Sequence, residues 1–171
     1  MDTTIKNAIS YLQNYVGQEI IRKKPIPIQK EEWKEWKGLQ SDWRHTKTPI
    51  ILLGFTKEGA IRYQYTEEGA KINGYQEQVL PLCFTDENWI TYKEALEPKN
   101  NALNEWIGKR IKRKRSTCLG DRSYMDKEYE KAPILLSASE YHMLIQYDIG
   151  TKTSTCLLGP TFVSPEDWEL A

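Results

Sequence analysis

Tyr15-Val16-Gly17-Gln18-Glu19-Ile20-Ile21-Arg22-Lys23 and Trp106-Ile107-Gly108-Lys109-Arg110-Ile111-Lys112-Arg113-Lys114 decide how the chain is read. Both run aromatic, β-branched, glycine, two polar residues, isoleucine and a basic end. A motif recurring within one chain is the mark of repeated architecture. Leu12 and Leu103 precede their glycines at the same offset. Thr48-Pro49-Ile50-Ile51-Leu52-Leu53 is answered by Ala132-Pro133-Ile134-Leu135-Leu136. Each half closes alike, with Phe84, an acidic turn and Trp89 in the first, and Phe162, an acidic turn and Trp168 in the second.

These landmarks predict a duplication, with a first unit over 1–96 and a second over 97–171. Thr4 is the expected cap of a short helix with Ile5, Ala8, Ile9 and Leu12 on one face. Gly17 ends that helix and opens a strand through Ile20 and Ile21. Strands are then expected over Pro49–Thr56 and Ile61–Tyr65, with a turn at Glu68-Gly69. Val79–Phe84 and Trp89–Tyr92 complete the first unit. In the second unit, Pro98–Glu105 leads into strands over Ile107–Lys114, Pro133–Ser137, Met143–Tyr147 and Thr155–Leu158. The fold class is therefore mainly β (α+β): two small antiparallel barrel-like units, each preceded by a short helix. In its order of elements, this pattern resembles the tandem SH3-like or Tudor-like small barrels. The resemblance covers both halves and carries no family motif, so no functional residue follows from it. Twisted antiparallel sheets packed on helices fit the same pattern.

Composition narrows function mostly by exclusion. Lys and Arg total 24 against 24 acids, so no global field draws the chain to nucleic acid or membrane. Tryptophan (6) and tyrosine (10) outnumber phenylalanine (3), which suits both small cores and binding faces. Cys83, Cys118 and Cys156 lack metal-knuckle or redox spacing, and read as reduced thiols of a cytoplasmic protein. The polar N-terminus suits neither a signal sequence nor a membrane span. His45 and His142 have no neighbours at ligand spacing. Glu31-Glu32, Asp86-Glu87 and Glu166-Asp167 read as solvated caps. No catalytic motif is present, and no enzyme activity, cofactor, metal or membrane partner is expected.

Two stretches point to binding. The run Lys109, Arg110, Lys112, Arg113, Lys114 and Arg115 is broken only by Ile111, and Trp106 and Tyr124 lie near it in sequence. As a strand it would track a phosphate backbone, with Tyr124 as a stacking ring. The same residues would also protect an exposed sheet edge. The second stretch carries Trp33, Trp36 and Trp43 in a long connection, either an aromatic contact platform or lids on a core. The loop Gly120–Met125, which has no counterpart in the first half, is a candidate recognition loop. The expectation is a non-catalytic binding module contacting nucleic acid through the basic strand. The alternative is a protein–protein adaptor or inhibitor using the Trp-rich loop and the groove between the units. Chains of this style resemble the accessory proteins of bacteria and their mobile elements.

Overall fold

A computed structural model describes residues 1–27, 41–114 and 131–171. The chain divides into two compact units, Met1–Glu94 and Ala95–Ala171. It is mainly β, and its sheets are antiparallel.

The first unit opens with α1 (Thr3–Leu12), which buries Ala8 and Leu12. Its cap is Asp2, whose carboxylate accepts the Thr4 N–H at 2.8 Å, so the cap falls two residues before the Thr4 expected. The strands follow as β1 (Glu19–Arg22), β2 (Ile26–Pro27), β3 (Ser41–Asp42), β4 (Ile50–Phe55) and β5 (Ile61–Tyr65). After α2 (Glu67–Asn73) come β6 (Gln78–Val79) and β7 (Trp89–Thr91). Five strands form one sheet in the order β6-β5-β4-β1-β7, and β2 pairs with β3. Alternation places Ile50, Leu52, Ile61 and Tyr63 in the core with Leu12, Ile20, Phe84 and Trp89. Because β1 lies inside the sheet, Ile20, Ile21 and Arg22 are all buried.

Two expectations for this unit fail for local reasons. Glu68-Gly69 lies within α2, because the Thr66 side chain accepts the Gly69 N–H and turns the chain into a helix. Of the region expected as strand Val79–Phe84, only Val79 lies in a strand, as the last residue of β6. Pro81 then lacks an N–H for the ladder, and Leu82–Phe84 form a 3₁₀ turn.

In the second unit a 3₁₀ turn, Ala102–Trp106, precedes β8 (Ile111–Arg113). Then come β9 (Ile134–Ala138), β10 (Met143–Ile149), β11 (Lys152–Leu158) and β12 (Trp168–Leu170). The order β11-β10-β9 makes one sheet, and β12-β8 another. Leu103, Ile111, Leu135, Met143, Ile145 and Trp168 form the core. The strand expected over Ile107–Lys114 is reduced to Ile111–Arg113. Ile107 and Gly108 turn, and Lys109 bends before pairing begins. No closed barrel is found among the described residues; the sheets are open.

Certain hydrogen bonds recur in both units. The Gly17 N–H donates to Leu52 O (2.7 Å), and the Gly108 N–H to Leu135 O (2.8 Å). In return the Leu52 N–H reaches Gln18 O and the Leu135 N–H reaches Lys109 O, both at 3.1 Å. Trp89 Nε1 donates to Phe84 O (2.8 Å), and Trp168 Nε1 to Phe162 O (2.7 Å). Gly17 (φ 87°) and Gly108 (φ 84°) hold the left-handed turn that aims their N–H groups at the facing strand. A Cβ at either glycine would meet open space, so the glycine is there for its backbone alone. Gly17→Ala and Gly108→Ala should therefore each destabilise their own unit by about 1–2 kcal/mol in urea unfolding. Gly17→Asn should cost less than Gly17→Ala, since asparagine tolerates the left-handed region. Equal costs would contradict a conformational origin.

Candidate functional site

The short β8 divides the basic run by direction. Ile111 is fully buried, and Arg113 on the same side lies over the rings of Phe162 (4.9 Å) and Trp168 (5.8 Å). Arg113 thus lies half-buried on the core side of the strand, its guanidinium against these rings. Arg110, Lys112 and Lys114 take the other side, and Lys109 is exposed just before the strand. Arg110 donates to Ala132 O (2.6 Å) and stands 3.8 Å from Asp148. Lys112 is 3.4 Å from Glu169 across the β8–β12 pair. Both ion pairs are solvent-exposed, so each contributes on the order of 0–1 kcal/mol and exchanges partners easily. Beside them, Trp106 is half-buried and Ile107 is 42% exposed. Arg115, Tyr124 and the loop Gly120–Met125 lie outside the described residues, as do Trp33, Trp36 and Cys118. Trp43 is described and 42% exposed, so it is no lid on the core.

Sequence reasoning missed the most densely built cluster, which surrounds Arg22 and His45. Arg22 is 1% exposed and makes a two-pronged pair with Asp86, both bonds at 2.9 Å. Its Nε donates to Lys24 O, and its guanidinium lies over Trp89 (5.0 Å) and Phe84 (5.6 Å). Burial of this kind is tolerated because each guanidinium nitrogen donates a hydrogen bond and the aromatic faces attract the cation.

His45 is packed against the same rings. Its ring centroid lies 5.8 Å from Tyr63, 6.1 Å from Tyr65, 5.9 Å from Phe84 and 6.2 Å from Trp89. Only 2% of the residue is exposed, and neither ring nitrogen has a hydrogen-bond partner among the described residues. Its backbone is left-handed (φ 67°), a conformation that costs a non-glycine residue about 1–2 kcal/mol. Its carbonyl accepts the Arg22 N–H at 2.7 Å. Burial, reinforced by Arg44 and Arg22 and opposed by Asp42, pushes its pKa down to about 4. Burial alone would raise the Asp42 carboxyl, but the Arg44 side chain and backbone bonds bring it below its usual range. His45 is therefore a neutral ring sealed among aromatics. It lies in the polar turn between β3 and β4, and the ring folds inward from that turn. The available signal was the pairing of Arg22 with Arg113 in the repeated motif, each opposite a Phe and a Trp.

His142 is fully buried, and Cys83 is exposed. Among the described residues, no group of His, Cys, Asp and Glu is placed to hold a metal ion. No described helix is long and apolar enough to cross a membrane. Compared with protein-family models, curated proteins and solved structures, the chain matches none.

Removing the two partners of the buried pair should have unequal effects. Asp86→Ala leaves a guanidinium buried without its carboxylate and should destabilise the first unit by about 3–5 kcal/mol. Arg22→Met fills the space with an apolar chain and leaves Asp86, which is partly exposed, to water; it should cost no more than about 2 kcal/mol. Urea unfolding of both variants checks the order.

Proposed function

We propose that the chain is a non-catalytic binding protein whose second unit contacts a nucleic-acid backbone through Lys109, Arg110, Lys112 and Lys114. The observation that supports this most is the division of the basic run. With Ile111 and Arg113 turned toward the core, the remaining cations stand together on the solvent side of one short segment. Their carboxylate partners, Asp148 and Glu169, are held at exposed distances of 3.8 and 3.4 Å. A phosphate replaces such a partner at little cost. Trp106 and the exposed Ile107 offer apolar surface beside the charges. Arg113 is left out of this contact set because it holds Trp168. The setting is cytoplasmic, and the two units descend from one ancestral unit; the recurring glycine and tryptophan hydrogen bonds support that ancestry.

A protein-binding reading has its own observation. Ile72 (88% exposed), Tyr75 (61%) and Val79 (54%) crowd one stretch of the first unit at the edge strand β6. Exposed apolar side chains at a sheet edge are a common basis for protein contact.

Fluorescence anisotropy with labelled single- and double-stranded DNA and RNA, across a salt series, separates the two. Nucleic-acid contact predicts binding that weakens steeply with salt. Replacing Lys109, Lys112 and Lys114 together by alanine should flatten the slope by about 3. No binding at low salt would overturn it and move attention to Ile72, Tyr75 and Val79.

A further inference from the structure

The binding surfaces leave His45 unused, although it combines deep burial, a left-handed backbone and two ring nitrogens without hydrogen-bond partners among the described residues. Its place in the chain gives the ring mechanical leverage. It ends the segment 41–45, which pairs with β2 through Ser41 and Asp42 and carries the exposed Trp43. At this residue the segment meets the five-stranded sheet, through the ring packed on Tyr63, Tyr65, Phe84 and Trp89 and through the carbonyl bonded to the Arg22 N–H.

We propose that His45 is a proton-operated latch: neutral, its ring closes residues 41–47 onto the first unit's sheet, and protonated, it leaves the aromatic box and releases that segment with Trp43. The reason lies in what surrounds the ring. An imidazolium has two N–H donors, and the ring is packed mainly on aromatic side chains, where its desolvation outweighs the groups that favour the proton. The Thr48 backbone and the Asp42 carboxylate favour the proton, and burial outweighs both. The faces of Phe84 and Trp89 that would attract a cation already hold the Arg22 guanidinium. Among the described residues, the charged groups that act on His45 are Arg22 from β1 and Asp42 and Arg44 from its own segment. Asp86 is engaged with Arg22, and Asp42 with Arg44. Tyr63 and Tyr65, from β5, also face the ring. Burial raises the Tyr63 hydroxyl pKa, so that ring stays uncharged at acid and neutral pH.

The direction of the switch follows from linkage. The closed ring titrates at about 4, below its ordinary value of 6.5, so closure is fully favoured above pH 6.5 and is lost as pH falls toward 4. The sheet itself does not depend on the neutral ring. β1 is laddered to β4 and β7, and the Arg22–Asp86 pair is separate from the imidazole.

Hydrogen exchange read by NMR from pH 7 to pH 3.5 tests the latch, with protection factors corrected for intrinsic rates. The Arg22 amide, which donates to His45 O, should lose at least tenfold in protection. The Leu52 amide, which donates to Gln18 O within the sheet, should keep its protection. His45→Phe should hold Arg22 protected across the range. Asp86→Asn should still show the fall, which removes that carboxylate as its source. If His45→Phe loses protection in step with the wild type, or if Leu52 and Arg22 open together, the latch is wrong. Should His45→Phe fail to fold, the ring nitrogen shifts of wild-type His45 decide. A ring midpoint that coincides with the loss of Arg22 protection supports the latch, and separated midpoints overturn it.

Discussion

The buried guanidinium of Arg22 organises the first unit. Its pair with Asp86 joins β1 to the turn before β7, and its flat face covers Phe84 and Trp89. Trp89 in turn is locked by the bond from its indole N–H to Phe84 O, so ring, turn and strand are mutually fixed. The box that encloses His45 exists because these rings are held in place. A charge this deep is costly to desolvate, so it depends on having its carboxylate and both aromatic faces in place.

The second unit uses the same idea with less burial. Arg113 lies over Phe162 and Trp168, and the Trp168 indole N–H donates to Phe162 O. This changes how the basic run is understood. In a strand, charge is distributed by alternation, so neighbouring residues in sequence serve opposite faces. Arg113 supports a core, while Lys112 and Lys114 meet solvent on the other side. A run of cations is thus a mixture of structural and surface residues, and only the surface members are available to a polyanion.

Several features were legible because they are local. Gly17 and Gly108 marked left-handed turns, and the alternation of Ile61, Tyr63 and Tyr65 marked a half-buried strand. Local reading also misled where two signals competed. Glu68-Gly69 carried turn chemistry, yet Thr66 capped a helix there. Val79–Phe84 was apolar enough for a strand, yet Pro81 denied it the ladder. The β-branched Ile107 suggested an early start to β8, yet the left-handed glycine beside it left only single bonds and a bridge to the facing strand before the strand proper begins at Ile111.

By itself, the sequence determined the mainly β character, the places of most strands and the recurrence of a glycine-centred motif. These depend on side-chain periodicity and on backbone preferences within a few residues. Only the tertiary structure decided that Arg22 and Arg113 turn inward, that Asp86 answers Arg22, and that His45 is sealed among Tyr63, Tyr65, Phe84 and Trp89. Those partners are distant in sequence, and no local pattern specifies which face of one strand meets which ring of another. Charge that reads as solvated in sequence becomes interior when a distant carboxylate and an aromatic face replace its water.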